Sequence, residues 1–164
     1  MTLRVAVDTN VLIAGFGWPR WPYAVLRHAE QGDFTLVLSP LVVAEARRRI
    51  QIHLPAVLDD FELYLASVGY EEAPIPTQDE IAANLDLVRQ EKDVPIALSI
   101  RDAQVDYFVT YDRDFTDQDA STEKVRQAIP GIMLPPVFLH EVMGWTSEEL
   151  EAIRYREWTD MEER

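Results

Sequence analysis

Leu3-Arg4-Val5-Ala6-Val7, followed at once by Asp8-Thr9-Asn10, is the stretch on which the fold of this chain turns. A short apolar run broken by Asp-Thr-Asn predicts a buried strand feeding a helix cap. In an open α/β sheet, ligands gather beyond the carboxyl ends of the strands, so Asp8 stands where chemistry is done. A function built on Asp8 requires other polar groups at the same edge.

Two further long strands are predicted, Phe34 to Leu38 and Asp106 to Thr110, with a short one at Ile132 to Leu134. Between them the spacing predicts helices. Thr9 to Phe16 starts one, which Gly15, Gly17 and the Trp18-Pro19-Arg20-Trp21-Pro22 cluster break as a loop. Tyr23 to Gln31 resumes helical spacing, with Gly32 as a stop. Ser39-Pro40 pairs an N-cap with a proline at the first helical position, opening a helix to Ile50. A helix from Pro55 ends at Gly69, Tyr70 to Pro76 is a short strand or a loop, and Thr77 to Arg89 is helical. Asp93-Val94-Pro95 opens a largely buried helix to about Gln104, with Asp93 as its N-cap. Glu123 to Ile129 and the turn after Pro135-Pro136 are short helices. Alternating strands and helices predict a three-layer α/β/α fold on a central, mainly parallel sheet. The chain divides into a domain over 1–145 and a C-terminal helical extension over 146–164. The extension opens with a Thr146/Glu149 capping box and carries an apolar stripe of Leu150, Ile153, Trp158 and Met161.

Composition narrows the chemistry. The 164 residues include no cysteine, which excludes disulfides and thiolate metal sites and fits the cytoplasm. His28, His53 and His140 are too widely spaced to suggest a zinc cluster. No signal peptide is evident, and no stretch approaches the ~20 apolar residues of a membrane helix. A net charge of −14 argues against broad, non-specific attraction to nucleic acid. It suits hard divalent cations or a basic protein partner.

Acids end two of the three long strands: Asp8 after the first, Asp112 and Asp114 after the third. Parallel strands bring both ends to one edge. Glu45, about 110° from the centre of its helix's apolar face, and Asp93, at a helix start, are candidates to join them. Each has a plainer reading: Asp8 and Asp93 as caps, Glu45 as a solvated helix residue, Asp112 and Asp114 as an Asx turn. If they converge, clustered carboxylates with open positions suit Mg²⁺ or Mn²⁺ and metal-assisted phosphodiester hydrolysis.

Val5-Ala6-Val7-Asp8-Thr9-Asn10-Val11-Leu12, Leu38-Ser39-Pro40 with Glu45, Asp93-Val94-Pro95-Ile96, and Tyr107 to Phe115 together resemble the PIN domain family. The likeness is to the VapC-like toxin components of toxin–antitoxin pairs, over about residues 3 to 140. The resemblance implies a Mg²⁺/Mn²⁺-dependent ribonuclease. Asp8, Glu45, Asp93 and Asp112 would be its catalytic acids, with Asp8, Asp93 and Asp112 as the metal-binding ones. Asn10 would order the site around Asp8, and Thr110 would hydrogen-bond its carboxylates. Asp114 matches a position that is often acidic. The family likeness, with the apolar tail stripe, also suggests a homodimer.

RNA approaching so acidic a chain needs local cations. Arg47, Arg48 and Arg49 follow Glu45, with Arg48 nearest its sector; the plainer reading is that they offset surface acids. Trp18 and Trp21 either stack on a base or pack onto the core. The acidic body favours a basic antitoxin as partner. An Asp-x-Asp phosphatase is disfavoured by Asn10 and by the scarcity of lysines, Lys92 and Lys124 alone. The alternative is a catalytically silent PIN-like module that binds protein or RNA.

Overall fold

The strand expected at residues 3–7 forms as β1 (Arg4–Val7) and lies at the centre of the sheet in the computed structural model, which describes residues 2–162. Around it run β2 (Thr35–Leu38), β3 (Glu71–Glu72), β4 (Tyr107–Val109) and β5 (Ile132–Met133). Their order is β3-β2-β1-β4-β5, and every pairing is parallel. Strands buried on both faces need apolar residues at successive positions, which is why Val5-Ala6-Val7 shows no polar alternation. Val5, Val7, Leu36, Leu38 and Val109 enter one core, while Ala6, Val37 and Phe108 enter the other.

The helices sort by the direction in which the chain travels across the sheet. From β1 outward to β3 the connections are α1 (Thr9–Gly17), α2 (Trp21–Glu30), α3 (Pro40–His53) and α4 (Leu58–Val68). These contribute Leu12, Val25, Val42, Ile50 and Phe61 to the first core. The return leg to β5 carries α5 (Gln78–Ala83), α6 (Val94–Ala103), α7 (Arg113–Thr116) and α8 (Glu123–Ala128), whose Leu98, Phe115 and Val125 fill the second. Crossovers of one hand force this exchange of faces when direction reverses. The result is a three-layer α/β/α sandwich with its reversal between β1 and β4.

Three expectations are corrected, and one left open is decided. The helix expected over Thr9 to Phe16 forms as α1 and runs on to Gly17, so Gly15 lies inside it instead of breaking it, at a point where α2 crosses too closely for a side chain. A Cβ on Gly15 would lie 2.3 Å from Leu26 Cδ1. The helix expected to Arg89 stops at Ala83. Asn84 caps it, its Nδ2 donating to the Glu80 carbonyl at 2.7 Å, and an irregular turn then buries Leu87 and Val88. Of the two readings open for Tyr70 to Pro76, the short strand forms, as the two-residue edge strand β3, whose exposed glutamates discourage further strand pairing. The tail is not one striped helix: after α9 (Pro135–Glu141) it folds into α10 (Ser147–Ile153) and α11 (Trp158–Glu162).

Those last helices lie against α1 and α2. Ile153 is buried in the first core. Trp21 Nε1 donates to the Leu150 carbonyl and Trp158 Nε1 to the Gly17 carbonyl, each at 3.0 Å. Among the described residues no helix is long and apolar enough to cross a membrane.

Candidate functional site

Asp8 follows the last residue of β1, and its N–H still donates to the Val109 carbonyl at 3.0 Å, tying it to β4. The carboxylate does two things at once. Oδ1 accepts from the Thr9 N–H at 2.8 Å, capping α1, while Oδ2 accepts from the Thr110 hydroxyl at 2.7 Å. Asp8 is only 6% exposed. Burial raises its pKa above the ordinary carboxylate value, against the pull of those two hydrogen bonds.

Thr110 continues the network, its Oγ1 accepting from the Asp112 N–H at 2.9 Å. Asp112 Oδ1 accepts from the Asp114 N–H at 2.8 Å, so the expected Asx geometry is present and caps α7. Burial also raises the Asp112 pKa.

Asp93 stands at the expected N-cap position of α6 but does not cap it through its side chain. Its backbone (φ −92°, ψ −7°) continues from a 3₁₀ turn over Glu91–Asp93 into α6, and its side chain makes no cap bond. The carboxylate turns toward Asp112 and Asp114 instead. One oxygen from each of the three lies within 4.8 Å of the others. Asp93 Oδ2 is buried without a hydrogen-bond partner. Burial first, then the neighbouring Asp112 and Asp114 carboxylates, push its pKa up to about 7. Asp114 is further held by Arg89, whose Nε donates at 2.6 Å while Nη2 reaches Asp117 at 2.8 Å and Nη1 reaches Ser121 Oγ at 2.9 Å.

Asp8, Glu45, Asp93 and Asp112 all line one cleft of about 420 Å³, at the reversal between β1 and β4. That is where an open parallel sheet leaves a crevice. Glu45 sits at its α3 margin and pairs with Arg48 at 2.8 Å. Arg49 and Lys92 supply positive charge to the same walls.

Three assignments change. Asn10 acts on Asp8 through a cation: its Oδ1 accepts from Arg49 Nη1 at 3.0 Å, and the Arg49 charge favours the ionised Asp8. Arg47 turns away, pairing with Glu62 at 2.8 Å and lying over the Phe61 ring. Asp114, rather than Asp8, completes the tightest acidic trio. Arg49, rather than the expected Arg48, shares the cleft with Glu45, because i+4 lies about 40° from Glu45 around the helix and i+3 about 60°. Arg89 carried no signal in the spacing, because its turn resembled a helix.

The donor set fits a hard cation. It is all oxygen, and one buried acceptor lacks a donor. The raised carboxylate pKa values further mark negative charge that a cation would relieve. A larger recess of about 510 Å³ between α1, α2, α4 and α11 is lined mainly by apolar groups such as Phe16, Leu26, Leu63 and Trp158, and has no such acidic cluster.

No protein-family model matches the sequence, and no curated protein matches it. In structure the chain is similar to PAE2754 from Pyrobaculum aerophilum, known from its crystal structure. The likeness spans 88% of this chain and 100% of that one, at a TM-score of 0.59 and 17% sequence identity. At that identity it is a likeness of fold.

Proposed function

We propose that this chain is a PIN-like, Mg²⁺/Mn²⁺-dependent endoribonuclease, acting in the cytoplasm as the VapC-like toxin of a toxin–antitoxin pair. The observation that carries the reading is the meeting of Asp8, Glu45, Asp93 and Asp112, from four separate segments, in one cleft at the sheet's reversal. Asp93 and Asp112 would hold the ion with Asp114 or Asp8. When bound, Mg²⁺ or Mn²⁺ supplies a Lewis acid that offsets charge on the scissile phosphate and activates water. Arg49 and Lys92 draw the phosphate toward the acids against the negative field of the whole chain. Glu45, at the open margin, is placed to take a proton from water, and Thr110 fixes Asp8. The charge of −14 favours a basic antitoxin as protein partner, and a homodimer is the proposed assembly.

Cleavage of structured and single-stranded RNAs with Mn²⁺ supplied tests the proposal. Wild type is expected to cleave, and Asp8→Asn and Glu45→Gln to lose at least about 100-fold in rate while remaining folded. Relief of growth arrest by the same substitutions supports the toxin role. A folded wild type that cleaves none of these RNAs overturns the enzyme and leaves a binding module.

A further inference from the structure

Beside the acidic cleft is a second recess, of about 330 Å³, whose walls include Trp18, Trp21, Tyr111, Tyr155 and Arg154. It adjoins the cleft by two routes. Tyr111, on its wall, is peptide-bonded to Asp112 in the cleft. Along α1 and its C-cap, Asn10 lines the cleft while Ala14 and the capping Trp18 line the recess. Asn10 and Ala14 are one helical step of about 6 Å apart.

The recess offers flat aromatic surface. Trp18 is 42% exposed, Tyr111 37% and Tyr155 71%. Among the described residues no aromatic ring stacks on any of the three, in contrast to Tyr23, which packs edge-on against Trp158. It also offers a cation. The Arg154 guanidinium lies 5.3 Å from the Tyr155 ring centroid and 6.0 Å from that of Trp21, while its carboxylate neighbour Glu151 stands at 3.5 Å. Exposed aromatic rings with a guanidinium beside Tyr155 and Trp21 match a nucleotide, whose base stacks and whose phosphate would compete with Glu151 for the Arg154 charge.

We propose that this recess is a nucleotide subsite, in which Trp18 and Tyr155 stack on an unpaired base one or two positions from the phosphate held in the acidic cleft. The inference rests on the ribonuclease reading. It adds that the substrate is single-stranded at this position and that affinity comes from stacking more than from net charge.

Binding of hexaadenylate and hexauridylate RNA, followed by tryptophan fluorescence in Ca²⁺, tests it without requiring cleavage. Wild type is expected to bind both, with Trp18→Ala plus Tyr155→Ala weakening affinity about ten-fold or more. Trp18→Phe, which keeps a ring, should recover most of the loss, with unchanged circular dichroism and Tm throughout. Absence of binding by wild type, or equal affinity in the double variant, overturns the subsite. So does a wild-type dimer that the double variant splits with RNA affinity unchanged, since the recess would then hold a second copy. Metal-dependent cleavage is scored separately. Stacking-dependent binding without cleavage rejects the nuclease, and cleavage indifferent to the double variant rejects only the subsite.

Discussion

Thr110 and Asp8, 102 residues apart in sequence, are joined by a 2.7 Å hydrogen bond from hydroxyl to carboxylate across neighbouring parallel strands. The same hydroxyl oxygen accepts from the Asp112 N–H. One side chain thus sets the position of two acids on different strands, and it is fully buried.

Thr110→Val keeps shape and removes the donor. Asp8, already raised by burial, is then expected to rise further. Losing a bond to a buried carboxylate costs about 1–3 kcal/mol, and each kcal/mol is worth roughly 2–4 °C at this size. Thermal melts in EDTA at neutral pH should show that drop, while Thr110→Ser stays near wild type. A valine variant as stable as wild type would show the bond to be idle.

Asp93 makes the metal-free protein sensitive to pH. Folded, it keeps its proton up to about 7, whereas the ordinary value is 3.8. Between those values the native state binds more protons than the unfolded chain, so stability falls as pH rises through the interval and levels off above it. Asp8 and Asp112 act in the same direction. Melts from pH 5 to 8 in EDTA should show this decline, with Asp93→Asn flatter and more stable at the alkaline end. Mn²⁺ should restore the wild type but give the variant little.

Arg89 holds Asp114 and Asp117 together beside the trio. Arg89→Met removes the cation that offsets them, so the decline with pH should become steeper and the Tm at neutral pH lower. Mn²⁺ titration followed by melting distinguishes this from a general loss of packing. The metal should close most of the gap to wild type.

Gly15→Ala tests the helix crossing. Alanine favours an isolated helix by about 1 kcal/mol over glycine. Here its Cβ would meet Leu26, itself buried. Overpacking of about 1–3 kcal/mol should win, giving a net fall in Tm. Any rise would show that Leu26 moves aside freely.

The sequence by itself determined the layered fold. Unbroken apolar runs such as Val5-Ala6-Val7 are stable only in a sheet covered on both faces, and Ser39-Pro40 or Thr146 with Glu149 fix helix starts through contacts a few residues long. It also marked Asp8, Glu45, Asp93 and Asp112, because strand ends and helix margins follow from local periodicity. Only the tertiary structure decided what each side chain meets. Asp93 abandons its cap for two acids about twenty residues on, Asn10 takes Arg49, Arg47 takes Glu62, and Arg89 leaves an expected helix to hold Asp114. Those choices are made by charges brought together across the reversal between β1 and β4, and a distance through space leaves no mark in the spacing of residues along a chain.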